Sequence, residues 1–161
     1  MNRDEILSLA GMPPGNPSYP HGPYRFINRQ YFNVISEPDP DAIPAMVPEP
    51  LEPDGSGTVV YEWIGIPDSS GFGAYQESGI GIPCLLDGQA VNCTAMMFLD
   101  IEPPITAGRE IRGFPKPWGQ PDLRVEKVPH VNAPVRRVIE GQHIIADLSL
   151  PYGRVVHDYL A

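Results

Sequence analysis

74-AYQESGIGIPCLLDGQAVNCTAMMFL-99 carries the clearest structural instruction in the chain. Residues 74–86 read as a strand with a weak point at Gly79 and Gly81, which predicts a bulge or bend. Asp87-Gly88 is a hairpin turn, and residues 90–99 are the returning strand. Upstream, 58-TVVYEWIGI-66 predicts another strand. Its pleat puts Val60, Glu62 and Ile64 on one face and Val59, Tyr61 and Trp63 on the other. Glu62 therefore sits among apolar neighbours on both sides. 30-QYFNVIS-36 and 143-HIIADLSL-150 are further strands, and 152–160 is a strand or short helix.

Helices are expected to be short, because 21 prolines and 16 glycines interrupt the chain. Residues 4–10 suit a short amphipathic helix, and 12–24 an extended arm over the surface. Asp39 or Asp41 is placed to cap one or two turns through Met46. Asp54-Gly55 marks a turn. Pro103-Pro104 can open a helix, residues 105–112 give about two turns, and Gly113 is its C-terminal cap. Strands outnumber helices and hairpin turns separate them. The expected fold is a single α+β domain over 1–161, mostly antiparallel β.

A net charge of −9 argues against nucleic-acid partners, which need a basic face. One arginine can still receive a small carboxylate. No apolar run approaches the ~20 residues of a membrane span, and the N-terminus lacks a signal-like apolar stretch. A cytoplasmic protein is expected. Cys84 and Cys93 are read as buried, reduced thiols. His21, His130, His143 and His157 lack metal-ligand spacing, and His143 is read as a structural hydrogen bonder. No metal is expected.

The other telling stretch is 108-GREIRGFPKPWGQP-121, which holds one of only two lysines, Lys116 and Lys127. Lys116 lies between two prolines, beside Phe114 and Trp118. A free lysine has a pKa of about 10.4, and burial in an apolar pocket disfavours its ammonium form. The neutral amine attacks ketones to give a Schiff base. The protonated imine of a β-keto acid withdraws electrons from the neighbouring C–C bond, and carbon dioxide leaves. The other reading is an ordinary loop lysine with its ammonium in water.

Several stretches together resemble the acetoacetate decarboxylase family. They are 20-PHGPYRFINRQYFNV-34, 61-YEWIGI-66, 69-SSGFGAYQESGIGIP-83, 96-MMFLDIEPPITAGREIRGFPK-116 and the weaker tail 143-HIIADLSLP-151 with 158-DYL-160. That family exemplifies a lysine activated by desolvation or a nearby cation, so this mechanism comes with the resemblance. By resemblance the Schiff-base lysine is Lys116, the arginine for the substrate carboxylate is Arg29, and the active-site glutamates are Glu62 and Glu77. The resemblance also implies a β-barrel or sheet with short helices, no organic cofactor, a small keto-acid substrate and a homo-oligomer. From the residues alone, Arg29 is more readily a surface ion-pair partner. Glu62 and Glu77 are as readily exposed acids on a wet sheet face. Arg109 and Glu110 are read as fixing helix and loop.

Two features depart from the family pattern. Many relatives carry a second lysine directly after the nucleophile, where this chain has Pro117; desolvation must then do nearly all the work on the amine. An internal block of the family sequence is absent near residues 125–134, which would leave the barrel incomplete. The leading expectation is a Schiff-base decarboxylase that converts acetoacetate to acetone and carbon dioxide, or acts on a related β-keto acid. The alternatives are an aldolase-dehydratase using the same imine and an inactive member that binds a small carboxylate.

Overall fold

A computed structural model describes residues 2–8, 17–126, 136–139 and 142–150. The long antiparallel hairpin of β6 (Tyr75–Leu86) and β7 (Gln89–Leu99) is its centre. Asp87 and Gly88 both have positive φ, 51° and 76°, as a tight two-residue hairpin requires. The bulge expected at the glycines is present. Ile80 faces Met96 but Gly81 faces Thr94, so Ala95 is the extra residue. The backbones approach closely here. A Cβ on Gly79 would lie 2.7 Å from the Met96 carbonyl oxygen.

β4 (Val59–Ile66) pairs with the first half of β6, and β2 (Gln30–Ser36) pairs with β4 at the sheet edge. The two-residue β3 (Glu52–Pro53) pairs with the far half of β6. A second sheet has the order β8 (Gln120–Glu126), β10 (Gln142–Ser149), β9 (Arg136–Ile139), all antiparallel. β1 (Phe26–Ile27) and β5 (Asp68–Ser69) form a short separate ribbon. The fold is mostly antiparallel β with short helices, and the described strands fall into three sheets without closing a barrel.

The main sheet is buried on both faces, because β4 alternates two sets of apolar side chains. One face gathers Val59, Tyr61, Ile82, Cys84 and Cys93, covered by Ile43 of α2 (Ala42–Met46). The other gathers Ile64, Ile66, Tyr75 and Leu99, covered by Ile105 of α3 (Glu102–Arg112). Trp63 Nε1 donates to the Asp147 carbonyl at 3.1 Å, tying this sheet to β10.

Several expectations shift. α1 spans Arg3–Leu7, inside a capping box made by Asn2 and Glu5; residues 9–16 lie outside the described set. Asp41 is the N-cap of α2 but caps nothing with its side chain. Asp39 Oδ1 instead accepts from the Asp41 amide at 3.0 Å. α3 spans Glu102–Arg112 and is opened by Pro103 and Pro104 as expected, since both prolines fit its first turn, where no N–H is needed. Gly113 ends it at φ 69°. β3 escaped sequence reading because prolines crowd it. Residues 152–160 are outside the described set. Cys84 and Cys93 are free thiols, both buried. Among the described residues no helix is long and apolar enough to cross a membrane.

Leu99 is 0% exposed. Leu99→Ala is expected to cost about 2–5 kcal/mol of unfolding free energy, through lost burial and the cavity left behind. Leu7→Ala, on an exposed helix, should change it by less than about 0.5 kcal/mol. Urea unfolding of the two variants measures the difference.

Candidate active site

The α3-covered face of the sheet carries the polar residues singled out by sequence. Glu77 of β6 and Glu62 of β4 share this face with Ile64 and Tyr75. Beyond Gly113 the chain turns back. The Phe114 amide donates to the Gly108 carbonyl at 3.1 Å, and residues 115–119 then run beside β7. Pro115 and Pro117 have no N–H to give. Their carbonyls accept from Met97 at 3.1 Å and Leu99 at 3.2 Å, and the Gly119 amide donates to Leu99 O at 2.8 Å. The loop is thereby anchored on both sides of Lys116.

Lys116 is 8% exposed, and its Nζ donates to Glu77 Oε1 at 3.0 Å; Glu77 itself is 4% exposed. The expected apolar neighbours do not supply this burial. Phe114 and Trp118 are 39% and 41% exposed. Phe114 does keep contact with the amine, its ring centroid lying 5.5 Å from Nζ. Helix α3 covers the lysine stem. A Cβ on Gly108 would lie 2.5 Å from Lys116 Cδ and 3.0 Å from Cε. Glycine at this helical position is what lets the stem pass.

A cleft of about 430 Å³ opens over the amine, and Arg29, Glu62, Glu77 and Lys116 all line it. Arg29 is exposed and makes no ion pair among the described residues. Its guanidinium lies over Phe26 at 4.7 Å and Tyr31 at 5.5 Å, so cation–π contact sets its direction. Glu62 is half-buried. Burial pushes its carboxyl pKa up, with Glu77 adding to the rise. Asn33 and Arg29 oppose the rise: with its amide nitrogen turned to face acceptors, Asn33 donates to Glu62 Oε2 at 3.3 Å. Burial, then the nearby Glu77 charge, raises the Tyr75 phenol, which stays protonated as a donor.

Sequence reading thus named four residues that meet in one cleft, and it missed four others: Gly108, Tyr75, Asn33 and Arg112. A glycine inside a helix costs about 1 kcal/mol against alanine, so Gly108 carried a usable signal. Asn33 follows from register, since it pairs with Glu62 across β2 and β4. Arg109 and Glu110 are exposed on α3 and do not line the cleft. His21 is exposed, and the side chains of the other three histidines lie outside the described set. Among the described residues no group of three metal-binding side chains is gathered.

The family described as acetoacetate decarboxylase (ADC) matches residues 11–133. An acetoacetate decarboxylase of Chromobacterium violaceum is 46% identical over 128 residues, which cover 79% of this chain and 52% of the relative. Another, of Ralstonia nicotianae, is 32% identical over 247 aligned residues that cover 100% of both chains. A solved acetoacetate decarboxylase structure is similar at a TM-score of 0.75 and 36% identity, covering 94% of this chain and 56% of that one. The chain therefore spans about half the length of the Chromobacterium relative and of the solved structure.

Gly108→Ala tests how the lysine is housed. Alanine favours the helix by about 1 kcal/mol, yet its methyl group occupies the path of the Lys116 stem. The expected outcome is faster acetylation of Lys116 in the variant than in the parent, mapped by peptide mass spectrometry. Equal protection would show that the stem does not depend on the glycine.

Proposed function

This chain belongs to the acetoacetate decarboxylase family, and from that premise we propose that it decarboxylates a small β-keto acid through an imine on Lys116. The observation that carries the reading is a nearly buried amine, 3.0 Å from a buried carboxylate, in a cleft that Arg29 and Glu62 also line. Such a site holds the amine out of bulk water and keeps a proton acceptor beside it.

In this reading Glu77 takes a proton from the Lys116 ammonium, and the freed Nζ attacks the ketone carbon. Water leaves as the protonated imine forms. Arg29 holds the substrate carboxylate by charge-assisted hydrogen bonds. The C–C bond to the carboxylate breaks and its electron pair flows into the imine. Carbon dioxide departs and an enamine remains. The enamine carbon then needs a proton. Glu62 suits that transfer, because burial makes it hold a proton more readily than an exposed carboxylate. Hydrolysis of the product imine returns the amine.

The same reading takes the chain as one domain of a cytoplasmic, self-associating protein, with a block of the family fold absent near residues 125–134. The alignment to the Ralstonia relative supports the absent block, since it spans both chains and exceeds this chain's 161 residues. Self-association is supported by edge strand β2, where Tyr31 and Ile35 are 53% and 71% exposed.

Borohydride reduction in the presence of acetoacetate tests the imine. The expected result is one covalent adduct mapping to Lys116, none on Lys127, and carbon dioxide release in the unreduced reaction. No adduct, or an adduct on Lys127 alone, overturns the reading.

A further inference from the structure

Helix α3 turns one stripe of residues to the cleft: Pro104, Ala107, Gly108, Ile111 and Arg112. This is the spacing of a single helical face. Arg112 thus stands on the same face as Gly108, whose bare Cα lies against the Lys116 stem. The helix rises about 6 Å between those two residues. Arg109 is the other basic residue of the last turn, and it does not line the cleft. The favourable interaction of a cation with the helix C-terminus is available to both, so it does not explain why only one of them lines the cleft.

Two arginines therefore border one cleft, Arg29 from the sheet side and Arg112 from the helix side. Among the described residues neither has a carboxylate within ion-pairing distance. The other charges do not balance them. Lys116 and Glu77 pair with each other, and burial biases Glu62 toward its neutral form.

We propose that Arg112 receives a second carboxylate, so that the cleft favours a β-keto dicarboxylic acid, with one carboxylate on Arg29 and the other on Arg112. The inference rests on the imine reading for the identity of the keto group. The pairing of two anions with two guanidiniums stands apart from that chemistry. It is tested with ligands that form no imine.

Calorimetric binding of 3-hydroxyglutarate and 3-hydroxybutyrate to the full chain measures the preference directly. The dicarboxylate is expected to bind about tenfold tighter or more, the worth of one charge-assisted contact. Arg112→Gln should bring the two affinities within about twofold of each other. Arg112→Lys, which keeps the charge but not the bidentate fork, should give an intermediate preference. Equal binding of both acids by the parent chain overturns the proposal, and so does a preference that survives Arg112→Gln in a variant with the parent's thermal melt. A preference that vanishes in Arg112→Gln, alongside no borohydride adduct on Lys116, upholds the two-anion cleft and removes the decarboxylase reading alone.

Discussion

The hydrogen-bonded pair of Lys116 and Glu77 sets the terms for everything around it. Taking two charges out of water costs several kcal/mol for each ion, and their mutual attraction offsets this only when the geometry is good. Here Nζ and Oε1 are 3.0 Å apart and both side chains are nearly buried. Removing either partner would strand the other at a cost of about 3–5 kcal/mol. The surroundings must therefore hold both groups in register. Glu77 is fixed inside a central strand, opposite Ile64 on one side and Leu99 on the other. Lys116 is fixed by a loop whose flanking prolines accept hydrogen bonds from β7.

A sheet covered on both faces, one of them only in part, holds this arrangement in place. One face is ordinary core, capped by the short α2. The other divides along its length between a packed region around Leu99 and Ile105 and an open region where charges collect. Helix α3 serves both regions. Ile105 closes the packed end, Gly108 makes room for the lysine, and Arg112 is among the residues that line the open end. The bulge between Ile80 and Gly81 lies just past this region, where β6 leaves β4 and the backbones crowd too closely for side chains.

Much of the fold was legible in local signals. β2 spans the residues expected, and the Asp87-Gly88 hairpin and the glycine bulge follow directly from backbone preferences. Glu62 was placed on the correct face by alternation alone. What joins Glu62 to Glu77, Arg29 and Lys116 is strand order, which no local pattern encodes; only the family resemblance grouped them. The burial of Lys116 was anticipated from the wrong neighbours. Phe114 and Trp118 flank it in sequence yet stay partly exposed, while the covering atoms come from α3 and β6. Arg112 was invisible until the helix start was known, because the face it occupies depends on the phase of the whole helix.

The chain has two lysines, Lys116 and Lys127, which makes the central pair open to direct observation. Lysine labelled with nitrogen-15 and carbon-13 at the side chain gives two sets of resonances, and Lys116→Arg assigns them. The account predicts that the Lys116 ammonium protons are protected from exchange with water and that the resonance moves in Glu77→Gln. Rapid exchange, with a resonance indifferent to Glu77→Gln, would contradict it.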